Sequence, residues 1–213
     1  MLTLSEQKNC CAVILSGGLN SRMAGKNKGF LDVGGKTILN RLLDRLAPLF
    51  SEILLVTRQP DAYDNIPVRV VTDLYEDRSS LTGIHAALVN AKADFGFVVP
   101  CDAPFIQPGV VRLLLDELDP QLDVIVPWVA GHYEPLCAIY SKKCVPVIEA
   151  QLDRGDYTIY NFFDRVNVKI IPTDRIKTVD PKLHSFINVN TPEAYRACQG
   201  MVSAPFHSQS TLS

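Results

Sequence analysis

The segment 12–31, AVILSGGLNSRMAGKNKGFL, constrains the fold more than any other: an apolar run breaks at two adjacent glycines, and basic residues follow. The run Cys11-Ala12-Val13-Ile14-Leu15 is too short for a helix, contains β-branched side chains and has no polar alternation. It therefore reads as a central parallel strand buried on both faces. Gly17 and Gly18 lack Cβ atoms, so backbone N–H groups there can approach an anion closely, while Arg22, Lys26 and Lys28 supply positive charge. Two readings of the dipeptide stand at this point: a phosphate cradle with Gly17, Gly18, Arg22 and Lys28 as contacts, or a plain turn after a strand. The nearby cations favour the cradle. The spacing fits neither the Walker loop, which needs Gly-Lys-Ser/Thr, nor the dinucleotide fingerprint, which needs a third glycine.

The rest of the chain alternates strands and helices. Thr37 is a candidate N-cap for a helix over 38–49, whose Ile38, Leu39, Leu42, Leu43 and Leu46 fall at helical spacing. Strands are expected at 53–57, 68–72, 95–100, 124–127, 135–140 and 166–172, and helices at 84–91, 107–118, 144–151, 158–163 and 192–197. This βαβ repetition predicts an α/β, three-layer Rossmann-like fold with a mostly parallel (mixed) sheet and ligands at the carboxyl ends of its strands. No Pro/Gly/Ser-rich linker interrupts the chain, so 1–199 reads as one domain and 200–213 as a flexible polar tail. With 21 basic and 23 acidic residues, the net charge of −2 argues against nucleic-acid or membrane partners. No apolar stretch approaches the ~18 residues of a membrane span, no signal pattern opens the chain, and a cytoplasmic location is expected. Cys10, Cys11, Cys101, Cys137, Cys144 and Cys198 form no C-x-x-C pair and read as reduced, mostly buried small hydrophobes.

Acids follow two of the strands. Asp73 ends Val71-Thr72-Asp73 and Asp102 ends Val99-Pro100-Cys101-Asp102, so both carboxylates belong at the edge that receives the Gly-Gly loop. Each has a plainer reading, Asp73 as a helix cap and Asp102 as the start of a turn before Ala103-Pro104. Carboxylates opposite a phosphate cradle suit Mg²⁺, which takes one or two of them together with phosphate oxygens and water.

In order, LSGGLNSRMAGKNKGFLDVGG, VTD, SSLTGIHAAL, VVPCDAPF, EPLCAIY and INVNTPE resemble the motifs of the molybdenum cofactor guanylyltransferases, the MobA-type enzymes that join GMP from GTP to molybdopterin. The likeness runs from Ala12 to Tyr195. It implies a nucleotidyltransferase fold in which Leu15, Ser16 and Gly17 contact GTP through their backbone and Lys28 and Asp73 lie at the GTP site. It further implies Mg²⁺ on Asp102 and places Asn188 and Asn190 at the molybdopterin side. Proteins that insert the cofactor and apo-molybdoenzymes are the further partners it suggests. Asn27 stands where the family commonly has Asp, Ser79-Ser80-Leu81-Thr82-Gly83 replaces Gly-Pro-Leu-x-Gly, and Val56-Thr57-Arg58 occupies a region where some members carry Asn. PCDAPF favours guanine over cytosine, since the related cytidylyltransferases usually end this strand differently.

Chemistry of this kind needs little general-base help. A phosphate monoester has a second pKa near ~6 and is already an anion at neutral pH. Mg²⁺ on Asp102, with Lys28 and Arg22, would offset repulsion between two anions and hold an in-line attack on the α-phosphorus. His85, His132, His184 and His207 then read as structural or surface residues, and Trp128 as rim packing or a pterin-stacking surface. Asn190 has a second reading as the cap of the helix after Pro192. Transfer of CMP or a sugar phosphate by the same fold, and a non-catalytic nucleotide-sensing module, are the alternatives.

Overall fold

A computed structural model of the chain describes residues 9–17 and 28–203. Strand β1 (Cys10–Ser16) lies inside the sheet, parallel to both β2 (Ile53–Thr57) and β4 (Phe95–Pro100), and β3 (Arg69–Val71) adds in parallel beyond β2. Strand β7 (Ala138–Ser141) runs antiparallel between β4 and β5 (Val124–Val129). Parallel β8 (Val168–Pro172) takes the far side of β5, while β6 (His132–Tyr133) pairs with its end. Because β7 opposes both neighbours, β5 and β8 run in the same direction as β1 to β4. Their carboxyl ends therefore share one edge. The result is the mixed, mostly parallel sheet expected of a nucleotidyltransferase fold. The run read as a strand over 135–140 sits inside the sheet rather than at an edge, and its Ala138, Ile139 and Tyr140 are fully buried.

Alternation in β1 divides the core. Cys10, Ala12 and Ile14 face one helical layer with α1 (Ile38–Leu46), α3 (Pro108–Leu115) and Cys198 of α6 (Pro192–Ser203), while Cys11, Val13 and Leu15 face α2 (Ser80–Asn90) and α4 (Val145–Leu152). These are the three layers. The six cysteines form no disulfide, and all but Cys101 are buried.

Several boundaries differ from the pattern-based expectation. Thr37 caps α1 by accepting from Asn40 N–H at 3.2 Å, but the helix ends at Leu46 because Pro48 lacks the N–H that would continue the ladder. Helix α2 begins at Ser80, four residues before the expected start, behind a capping box in which Ser79 and Thr82 satisfy each other's backbone N–H. The stretch read as a helix over 158–163 is a 3₁₀ turn, Ile159–Arg165, and a short helix α5 (Thr173–Lys177) was not expected. The two residues joining β5 to β6, Ala130 and Gly131, have φ of 50° and 87°, the positive values of a type I′ hairpin. Helix α6 continues through Ser203, into the segment read as tail, and 204–213 lie outside the described residues.

Candidate functional site

A cleft of about 520 Å³ opens at the shared carboxyl edge of β1 to β4. Leu15, Ser16 and Gly17 enter it from the end of β1, Thr57 and Arg58 from β2, Asp73 from just beyond β3, and Asp102 from just beyond β4. Ser79 and Ser80 at the start of α2, and Asn188 and Asn190 before α6, line it as well. Apart from Trp128, every described residue singled out from the sequence as a contact for nucleotide, metal or acceptor thus faces one space. Gly18, Arg22, Lys26 and Asn27 lie outside the described residues.

Lys28 organises the centre. Its Nζ donates to Asp102 Oδ2 at 2.9 Å and to Asn190 Oδ1 at 2.6 Å. The ion pair is mostly sheltered, with side-chain exposures of 18% and 13%. The polypeptide reinforces this junction, since Cys101 N–H donates to Leu15 O at 2.9 Å and Val189 N–H to Asp102 O at 2.8 Å. Three segments remote in sequence are thereby locked together. Asn190 belongs to this contact, and the cap of α6 is Thr191, whose Oγ1 accepts from Ala194 N–H at 3.2 Å. Asn190 N–H instead donates to Asn188 O at 3.1 Å, which makes a tight local turn.

Asp73 does not cap α2, whose cap is Ser79. Its Oδ2 accepts from Arg58 Nε at 3.3 Å and Thr82 Oγ1 at 3.2 Å. Burial pushes the Asp73 carboxyl above its usual range, and hydrogen bonds from Arg58 and Thr82 pull in the opposite direction. Neither Arg58 nor Thr82 was among the residues singled out from the sequence. The motif SSLTGIHAAL contained Thr82 and the VTR departure contained Arg58, but neither pattern said where the side chain would turn.

Ser16 Oγ shares a hydrogen bond with Tyr63 Oη, fixing the last residue of β1 against a buried ring. Cys101 also lines the cleft, and burial pushes its thiol up to about 11, so it stays protonated and non-nucleophilic at neutral pH. His85 is buried with Nε2 2.9 Å from Glu149 Oε1, and His132 and His184 lie in β6 and in a 3₁₀ turn; His207 is outside the described residues. Trp128 is partly exposed on β5 and meets Tyr133 edge-on at 4.8 Å, outside the cleft lining.

Among the described residues, no cluster of three or more His, Cys, Asp or Glu side chains is placed to hold a metal by itself. The cleft offers isolated carboxylates beside a lysine. That donor set suits a hard cation that arrives with phosphate oxygens and keeps water in its shell.

Residues 12–169 match the family of MobA-like NTP transferase domains. A molybdenum cofactor guanylyltransferase of Desulfosudis oleivorans is 34% identical over 192 residues, covering 90% of this chain and 95% of the relative. The crystal structure of molybdopterin-guanine dinucleotide biosynthesis protein A from Archaeoglobus fulgidus superposes with a TM-score of 0.80 at 26% identity, covering 91% of this chain and 98% of that one. A manganese complex of Rv0371c from Mycobacterium tuberculosis shares the fold, with a TM-score of 0.61 at 17% identity over 91% of this chain and 98% of that one.

Proposed function

The chain belongs to the family of MobA-like NTP transferases, and on that premise we propose that it transfers GMP from GTP to molybdopterin, releasing pyrophosphate and forming the guanine dinucleotide of the molybdenum cofactor. The observation that carries this reading is the convergence of Lys28, Asp102 and Asn190 on one contact inside the cleft at the sheet's carboxyl edge.

In the reaction, an oxygen of the molybdopterin phosphate attacks the α-phosphorus of GTP. A new P–O bond forms, the bond from the α-phosphorus to the bridging oxygen breaks, and its electrons leave with pyrophosphate. The attacking group is already anionic, so the protein's task is to position two anions and balance their charge. Leu15, Ser16 and Gly17 would present the backbone at the end of β1 to the nucleotide. Lys28 would turn from Asp102 toward the triphosphate, and Arg22 and Gly18 are assigned to the same phosphates from sequence. A divalent cation, taken as Mg²⁺, would be held by Asp102 and supplies Lewis-acid neutralisation at the reacting phosphate; the manganese bound by Rv0371c, which shares the fold, is in keeping with a cation of this kind. Asp73 is a weaker candidate for that cation, because Arg58 and Thr82 already occupy its Oδ2. Asn188 and Asn190 would receive the acceptor from the α6 side.

No helix among the described residues is long and apolar enough to cross a membrane. Six unpaired cysteines suit a reducing compartment, and we place the reaction in the cytoplasm. The test is incubation with molybdopterin-loaded carrier and, separately, GTP, CTP and ATP, each with Mg²⁺. Mass detection of the guanine dinucleotide, dependent on both substrates, is the expected result. Product from CTP alone, or nucleotide binding without any product, would overturn the assignment.

A further inference from the structure

Arg58 leaves the end of β2 and turns back over the segment that joins β3 to α2. Its guanidinium is heavily engaged: Nε donates to Asp73 Oδ2 at 3.3 Å, Nη1 to Glu76 O at 2.8 Å, and Nη2 to Asp77 O at 2.7 Å and to Tyr75 O. One side chain thus gathers a carboxylate and three consecutive carbonyls. A guanidinium with its five donors in a fixed fork can do this; the three-donor point charge of a lysine cannot reproduce it.

The segment it gathers matters because of what lies at its two ends. Asp73 is at one end, with Oδ2 held by Arg58 and Thr82 and with Oδ1 buried and lacking a hydrogen-bond partner among the described residues. At the other end are Ser79 and Ser80, both in the cleft wall. Between them, residues 74–79 form neither helix nor strand. Other contacts hold the segment as well: Tyr157 Oη donates to Asp77 Oδ2 at 2.5 Å, Thr82 Oγ1 lies 3.4 Å from Asp77 O, and Tyr75 packs on the core and meets His85 edge-on at 5.2 Å. A segment without regular structure would otherwise sample more conformations, and Arg58 restricts it further with four hydrogen bonds from inside the cleft.

We propose that Arg58 is a positioning residue for nucleotide recognition, fixing the Asp73 carboxylate and the cleft faces of Ser79 and Ser80 in the arrangement that receives the nucleotide. This rests on the reading of Asp73 as part of the nucleotide site. The role differs from direct phosphate binding, because the guanidinium is already committed to protein acceptors. Burial disfavours the charged form of Asp73, and the adjacent guanidinium opposes that tendency, so the same contact favours an ionised acceptor.

The experiment compares Arg58→Lys, Arg58→Ala, Asp73→Asn and the double Arg58→Ala/Asp73→Asn in the full chain. Each is assayed for KM, kcat, calorimetric Kd for Mg-GTP and Mg-CTP, and thermal midpoint. Arg69→Ala serves as a structural control, since Arg69 bonds Glu52 and Asn90 O away from the cleft. We expect both Arg58 variants to weaken nucleotide binding roughly tenfold or more with kcat changed only a few-fold, the pattern of lost binding rather than lost chemistry. The double variant should lose less than the sum of the two single losses, because the residues share one contact while the carbonyl bonds of Arg58 act separately. Millimolar guanidinium, far below denaturing levels, should partly restore binding to Arg58→Ala and leave Arg69→Ala unchanged. Wild-type affinity in Arg58→Lys, strict additivity in the double variant, or a loss explained wholly by a smaller folded fraction would overturn the proposal. Wild-type preference for CTP would overturn the guanine assignment alone, since the Arg58 comparison is then read with CTP.

Discussion

Asp102→Ala separates the electrostatics of stability from those of catalysis. The substitution leaves the Lys28 ammonium in a site where its side chain is only 18% exposed, with the Asn190 carbonyl oxygen as its remaining described partner. Removing one member of a fully buried pair typically costs ~3–5 kcal/mol. This pair lies in the wall of an open cleft, and Asn190 retains part of the interaction, so a loss of about 2 kcal/mol is expected. For a chain of this size each kcal/mol is worth ~2–4 °C, which puts the thermal midpoint about 4–8 °C lower. The variant should therefore remain folded at assay temperature. The backbone bond from Val189 N–H to Asp102 O also survives, because alanine keeps that carbonyl. Turnover should fall on the order of 10²-fold or more, equivalent to about 2.7 kcal/mol of transition-state stabilisation. Metal-free GTP should bind no more weakly than to the wild type, since the anion meets a lysine released from its carboxylate. The double variant Lys28→Met/Asp102→Ala removes both charges. Its midpoint should return to within about 2 °C of the wild type, while turnover stays at least ~10²-fold down. Calorimetry gives the midpoints, and GTP-dependent pyrophosphate release with molybdopterin-loaded carrier gives the rates. Near wild-type turnover in folded Asp102→Ala, or recovery of turnover along with the midpoint in the double variant, would refute the reasoning.

Asn188→Ala should raise KM for molybdopterin about tenfold with GTP affinity unchanged, whereas Asn190→Ala, which leaves Lys28 with Asp102 alone, should disturb both; equal effects of the two on GTP binding would show that the segment is merely structural. Gly83→Ala places a Cβ 3.2 Å from Leu15 Cδ2, so a helix-propensity gain of ~1 kcal/mol competes with displacement of a cleft residue. Stability should change little and KM for GTP should rise a few-fold, and an unchanged KM would mean that Leu15 yields without cost. Burial raises the Asp73 carboxyl above its unfolded value. The native state therefore binds this proton more readily, and its contribution to stability declines as pH rises through the interval between the two values. The midpoint of Asp73→Asn should gain on the wild type from pH 4 toward pH 7, and the opposite trend in paired melts would show that Arg58 outweighs the burial.

What the sequence makes legible follows from physics that acts locally. The bounds of β2 and β4 match the runs read over 53–57 and 95–100, because each apolar run stops where a turn or a polar residue begins. Parallel pairing then carries Asp73 and Asp102 to one edge without further information. Helix α2 was read late because Gly83 interrupts its helical pattern; that glycine serves the close approach of α2 to Leu15, a tertiary demand that local propensity does not register. Strand β6 was missed because Ala130-Gly131 lacks the Asn-Gly signature of a I′ turn. The direction of β7 is likewise absent from periodicity, since a strand buried on both faces reads the same either way. Arg58 is the clearest omission at the site. An arginine after a strand reads as a solvated end until the loop whose carbonyls it binds is seen.

The convergence of Lys28, Asp102 and Asn190 was beyond sequence reading for a different reason. The Lys28 and Asn190 partners are 162 positions apart, and nothing in either local pattern encodes the other. The structure also indicates how a segment outside the matched span 12–169 comes to complete the cleft. Buried Asp180 accepts from the N–H groups of His184 and Ser185 at 3.0 and 2.8 Å, and Ser185 Oγ accepts from Gln107 N–H at 3.0 Å. That relay ties the turn before Asn188 to the start of α3, just past the strand end that bears Asp102. Backbone pairing of Val189 with Asp102 then sets the register, so that Asn190 arrives at Lys28. The amide that completes the lysine's coordination thus depends on a buried carboxylate ten residues away in sequence that makes no contact with the cleft. Neutralising Asp180 should accordingly loosen the 184–190 segment first and weaken the Lys28 junction through it, leaving the β1 to β4 half of the cleft in place.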